Sequence, residues 1–305
     1  MKRLIAVLTI ALFAGAALAA TAADEAFQSL GAQFVADLPK FSPVASTSIG
    51  DHSMDAELDQ VDAAARARLG ELLTSYQDAL GGIDRNELSS ANQVYYEMLP
   101  VEISSRLCYH QTQQECAWTP LYYISITANS MFSLAARDFA PVEERMANAA
   151  SRLEQFPRFL EQARASIEPE RVPKIHAETA VARNMGVVSI IENMIIPEMD
   201  KLSDATRTRL EAAIETAKDA LADHQTWLEE ELLPRAAGDF RIGAELFDRK
   251  LAFALDSPLS RKDVVARAEA AYESVRNQMY DCLLYTSDAA DDSKRVVVGG
   301  GGGWV

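Results

Sequence analysis

The chain predicts a mainly α fold, an antiparallel array of long helices. Three observations carry this. Apolar residues recur three and four apart through most of the stretch from Asp24 to Asp281. The helical runs between 142 and 233 are long and closely spaced, which favours antiparallel neighbours. No internal repeat or composition break divides them, so one helical domain over residues 24–281 is expected. With 305 residues and 49% apolar side chains, the chain can bury a sizeable core and reads as folded, not disordered.

Residues 1–23 read as an export signal. Lys2 and Arg3 form a basic start, Leu4–Leu18 an apolar core too short to span a bilayer, and Ala17-Leu18-Ala19 a small-x-small cleavage site. Ala20-Thr21-Ala22 is a second candidate. The expected location is therefore exported, periplasmic or secreted, with no membrane span once the signal is removed. The formal charge of −16 disfavours nucleic acid and anionic membranes as partners, and solubility is its plainest use.

Asp24–Leu38 reads as a short helix, with Phe27, Leu30, Phe34 and Leu38 on one face. The connector after it, which contains Pro43, Gly50 and Asp51, has little to bury and reads as loop. Val61–Leu80 follows as a helix ended by Gly81-Gly82, and Glu87–Leu107 as another. Trp118–Leu134 is ambiguous: its β-branched and aromatic residues fit either a short strand or a buried helix after Pro120. Val142–Ile167 has the most regular apolar seam, with a kink expected at Pro157. The helix opened by Val172-Pro173 is apolar around most of its later circumference, and Ser203 caps the next, which runs to about Leu233. In the last natural helix, Ser260 and Asp263 form a capping-box-like pair, and Val265, Ala268, Tyr272, Val275 and Met279 form the face expected to be buried.

After Asp281 the chain changes character. Residues 282–305 lack a helical period and include five consecutive glycines. The segment from Cys282 to Asp291 resembles the translation of a sequencing adapter, so these residues read as a non-native read-through tail. A genuine disordered glycine tail is the alternative.

Candidate chemistry is sparse. Cys108 and Cys116 flank a polar stretch in an exported chain, so a local disulfide is expected, with buried free thiols as the alternative. The four histidines, His52, His110, His176 and His224, include no pair at the helical spacing of a zinc site. His176 and Glu178 are two apart and point in different directions on a helix. His224 falls on an apolar face and reads as a core histidine, and Glu229-Glu230-Glu231 as a solvated run. No catalytic, cofactor-binding or metal-binding residue is identified in this chain.

Gly238-Asp239-Phe240-Arg241-Ile242-Gly243 and the segment after it resemble the central signature of the domain-of-unknown-function 885 family. Gly50-Asp51-His52 is similar to that family's early Gly-Asp-His turn. Arg152-Leu153 with Phe156-Pro157 is similar to its mid-helix pattern. Leu259-Ser260, Arg267-Ala268-Glu269 and Met279-Tyr280 follow in order, so the resemblance covers roughly residues 25–281. It implies an exported bacterial protein about twice this length, with a fold like that of helical zinc metallopeptidases. Its zinc ligands would lie in a C-terminal half that this sequence lacks, and its partners would be peptides. On that footing the chain is the N-terminal fragment of a peptidase-like parent, without a cofactor of its own. A non-enzymatic periplasmic binding or scaffolding protein is the alternative. Gly238, Asp239, Arg241 and Gly243 are candidates for a turn lining the parent's substrate channel, against the plainer reading of a packing turn that needs glycine.

Overall fold

The computed structural model describes residues 21–299, and most of the predicted leader lies outside them. Among the described residues there are helices and no strands, apart from a single parallel bridge between Pro173 and Gly238. The long helices are α1 (Ala22–Asp37), α2 (Pro43–Ile49), α3 (Ala63–Gly81), α4 (Ser90–Leu107), α5 (Pro120–Ala135), α6 (Val142–Leu153), α7 (Phe156–Ser166), α8 (Lys174–Asn184), α9 (Asp204–Trp227), α10 (Ala244–Leu255) and α11 (Arg261–Gly299). They gather into two compact units, the first ending at Ile242 and the second starting at Gly243.

The first unit has two hydrophobic clusters. The larger is built on the predicted seam: Met146, Ala149, Leu153, Phe156, Leu160 and Ala163 meet Leu210, Ile214, Ala217 and Leu221 of α9. The smaller joins α1, α3 and α4 through Phe27, Phe34, Leu73, Tyr76, Leu80 and Ile103. A capping box starts α1, in which Thr21 and Asp24 satisfy one another's backbone N–H groups. The Asp24 carboxylate also accepts from Ser89 N, Ser89 Oγ and Asn92 Nδ2, which ties α1 to the start of α4. These bonds, the Ser89 backbone one foremost, hold its pKa down to about 2.

Several sequence expectations change. The connector expected as loop contains α2, because Pro43 starts a helix and Gly50, at φ 97°, ends it in the left-handed region. Its buried face is small, made of Pro43, Val44, Ser46 and Thr47, and so gave little apolar signal. The ambiguous segment is a helix, α5, with Pro120 in its first turn. The seam does not bend at Pro157. It breaks at Glu154-Gln155, and Pro157 falls in the first turn of α7, where its missing N–H costs nothing. The helix expected over 172–197 is divided: α8 is followed by Gly186–Ile190, a π turn at Ile191–Ile195 and a 3₁₀ turn at Ile196–Lys201. A further π turn, Leu228–Leu232, extends α9.

In the second unit Ser260 and Asp263 form the expected reciprocal pair. The face expected to be buried is open to solvent, with Val265, Tyr272, Val275 and Met279 all more than half exposed. Helical periodicity shows which residues share a face; it does not supply the surface that covers them. The helix also runs on to Gly299, through the stretch whose sequence has no helical period.

Candidate functional site

Two of the weak sequence signatures, Gly50-Asp51-His52 and Arg152-Leu153, meet in space. The left-handed Gly50 releases the chain from α2 into a tight turn, and the Asp51 carboxylate accepts from Ser53 N at 3.0 Å. That turn brings Asp55 back beneath His52, with 2.9 Å between Asp55 Oδ2 and His52 Nδ1. The other oxygen of Asp55 accepts from Thr47 Oγ1 at 2.6 Å, and Thr47 Oγ1 accepts from Arg152 Nη2 at 2.6 Å. Arg152 is fully buried, and its remaining donors go to the carbonyls of Glu57 and Ser130. A continuous polar chain thus runs from the core to the surface through Arg152, Thr47, Asp55 and His52.

The arrangement fixes the imidazole. An ionised carboxylate only accepts, so Nδ1 must carry the proton that points at Asp55. The ring lies flat on Phe139, with centroids 3.7 Å apart and planes within 13°. The side chain is 35% exposed, so the ring can be reached from solvent. Such a histidine can take a proton from a bound molecule or donate its lone pair to one. We expect nitrogen-15 NMR of the chain to show the neutral His52 ring as the Nδ1–H tautomer. Asp55→Asn should abolish that preference while the other histidines keep their signals.

The same region is positioned by a second device. Side chains on α6, on α7 and in the break between them bind the backbone of the extended segment after Asp55. Gln155 donates to Ala56 O and accepts from Leu58 N. Arg158 donates to the carbonyls of Leu58 and Asp59, Gln162 accepts from Val61 N, and Ser166 donates to Val61 O. With Arg152, these residues form one polar stripe that stands in for a neighbouring strand.

The sequence-named residues lie apart from this site. Cys108 is buried, Cys116 is partly buried, and both are free thiols in the structure, so the expected disulfide is not formed there. Cys108 opens a π turn and Cys116 follows the left-handed Gln114, so they sit on separate helical segments. Burial raises the Cys116 thiol pKa, which works against a thiolate nucleophile. Gly238 sits against the backbone, with its N–H donated to Val172 O at 2.9 Å. Asp239 and Arg241 are exposed and bond to each other, with the guanidinium also over the Phe240 ring. Gly243, at φ 81°, opens the second unit. Glycine is thus needed at both ends of the signature for backbone reasons.

The histidines are dispersed. His176 stacks on Trp118 and His224 on Trp227, and burial lowers the pKa of both, that of His224 to about 3. Among the described residues no group of three or more His, Cys, Asp or Glu is placed to hold a metal ion. The zinc site that the resemblance implies would draw its ligands from outside this sequence.

A model of the family described as a bacterial protein of unknown function (DUF885) matches residues 43–289, running a short way past Cys282. Among solved structures, one described as "a putative lipoprotein of unknown function from Shewanella oneidensis" is similar, with a TM-score of 0.74 and 25% sequence identity. The match covers 83% of this chain and 46% of that one, so the chain spans about half the length of its solved neighbour. None of the curated proteins compared with the chain matches it.

Proposed function

This chain belongs to the DUF885 family of bacterial proteins, and from that premise we propose that it is the leading part of an exported envelope protein whose whole form hydrolyses peptides with zinc. In this reading it supplies the helical wall on which a substrate is seated and on which the remainder packs. The residues holding a metal would belong to that remainder, and a metal bound there would supply Lewis-acid polarisation of a carbonyl and an activated water. The peptidase part of the reading rests on the motif resemblance, and the envelope part on the lipoprotein description of the solved neighbour.

The observation that carries the reading of a part is the bare stripe on α11, where Val265, Tyr272, Val275 and Met279 lie at helical spacing and exposed. An exposed apolar stripe of this kind marks a surface that packs against something else. The test compares this chain with the longer protein encoded at the same locus. The longer protein is expected to bind zinc and cleave peptides in a chelator-sensitive way. This chain alone is expected to be inert, to bind a hydrophobic dye and to aggregate. If the longer protein binds no metal, the hydrolytic reading fails in favour of a non-enzymatic binding protein. If this chain is a cooperative monomer that binds no dye, the stripe on α11 is not a packing surface.

A further inference from the structure

In the first unit the two hydrophobic clusters do not merge. Where they meet there is a cavity of about 400 Å³, with Leu69 and Leu73 from the smaller cluster and Val61 and Tyr122 from the larger in its wall. Hydrocarbon surfaces this close normally pack to crystal-like density. Here charged and polar groups occupy the same wall, and the volume is within the usual range for small-molecule sites, roughly 300–1,000 Å³.

Asp59 is the decisive group. It is 6% exposed, lines the cavity, and accepts from Val44 N at 3.1 Å. Among the described residues no cation is within ion-pair distance of it. Burial raises its pKa to about 6, against the pull of the Val44 N–H bond and, at longer range, Arg152 and Arg158. A buried carboxylate in this condition is stabilised by any cation brought to it. Arg66 lines the same cavity, its guanidinium fixed by Nη1 bonds to Val61 O and Ser166 Oγ. The Tyr122 hydroxyl makes no hydrogen bond among the described residues, and burial raises its pKa, so it remains a neutral donor. Burial likewise lowers the pKa of His110, which keeps that wall residue uncharged.

Asp59, Arg66 and the Tyr122 ring thus share one small cavity; of the other charged residues in its wall, Glu102 and Arg106 pair with each other, and Glu115 stands beside them. A singly charged ligand could answer only one of Asp59 and Arg66, whereas a ligand carrying both charges can answer the two together. We propose that this cavity binds a small zwitterion with an apolar body, an amino acid or a dipeptide, with its ammonium group on Asp59 and its carboxylate on Arg66. The cavity lies within the first unit, so the assignment does not depend on the hydrolytic reading.

The test is calorimetric titration of the full chain with L-leucine and with leucyl-leucine. Isocaproate, which lacks the ammonium group, and isoamylamine, which lacks the carboxylate, serve as controls. At least one zwitterion is expected to bind saturably and to raise the melting temperature, and each control to bind at least about tenfold more weakly. Preference between leucine and the dipeptide identifies the natural size class. Asp59→Asn keeps an acceptor for Val44 N, and should weaken zwitterion binding about tenfold or more while leaving isocaproate unchanged. Tyr122→Phe removes only the hydroxyl and guards against a folding defect in the first variant. The proposal is overturned if neither zwitterion binds at millimolar concentration, if a control binds as well, or if both variants melt like the parent and bind undiminished.

Discussion

Replacing Arg152 with methionine is expected to destabilise the first unit by about 3–5 kcal/mol, the usual cost of removing one member of a buried charge network. The guanidinium is wholly buried and donates to Glu57 O, Ser130 O and Thr47 Oγ1. Methionine fills much of the volume but leaves those acceptors without donors, and removes the attraction that Arg152 exerts on Asp55 and Asp59. Urea unfolding followed by circular dichroism measures the loss; a change below about 1 kcal/mol would show the network to be dispensable.

The effect should depend on pH, and the sign follows from Asp59. Its folded pKa is raised to about 6, above its ordinary 3.8. The folded state therefore binds the proton more tightly than the unfolded one. The contribution of this group is fully present below about pH 4 and is lost as pH rises through about 6. Removing Arg152 withdraws an attraction that favours the ionised form, so the folded pKa climbs further and the loss extends to higher pH. The deficit of Arg152→Met should be smaller near pH 5 than near pH 8.

Gly238→Ala should be the most damaging change in the signature that the sequence marks out. A Cβ built there falls 2.0 Å from Arg171 O and 2.4 Å from Arg171 C, which is backbone and cannot rotate away. The segment must move off, which breaks the bond from Gly238 N to Val172 O and strains the nearby ion pair between Arg235 and Glu170. A cost of about 1–3 kcal/mol is expected from overpacking alone. Limited proteolysis should show a new cut between about 235 and 242, and an unchanged digestion pattern would count against the close contact. Gly243→Ala tests a different cause: it has open space around its Cβ but a φ of 81°, so its penalty should be conformational and smaller.

The helical array is legible because long amphipathic helices repeat one short-range signal. The seam from Met146 to Ala163 and its partner on α9 follow from spacing alone. What spacing misses is structure made by small or polar burial. Helix α2 hides Ser46 and Thr47, and the Arg152 network hides a charge, so neither produces an apolar pattern. The candidate site is half visible in the sequence. His52 and Arg152 both fall in recognised motifs, but the Thr47 hydroxyl that couples them lies 105 residues from Arg152. The one local clue is Asp55, three residues after His52 in a turn, and that spacing is too common to interpret without the fold. For α11 the same reasoning misleads, since its stripe of apolar residues implies a partner that the described residues do not provide.

The extended segment after Asp55 is seated by contacts to its carbonyls and N–H groups, from Arg152, Gln155, Arg158, Gln162 and Ser166. Those contacts do not consult the side chains of Glu57 and Gln60, which are exposed. The backbone seating therefore tolerates exchanges at those two positions, where Glu57 attracts Arg152 and Arg158 and Gln60 accepts from Arg68, but it does not tolerate a change of length. Losing a single residue there would offset every carbonyl from its donor and carry Asp55 and Asp59 out of place together. At this point in the chain the inherited quantity is a count of residues, and deleting one codon would do more harm than most exchanges of one amino acid for another.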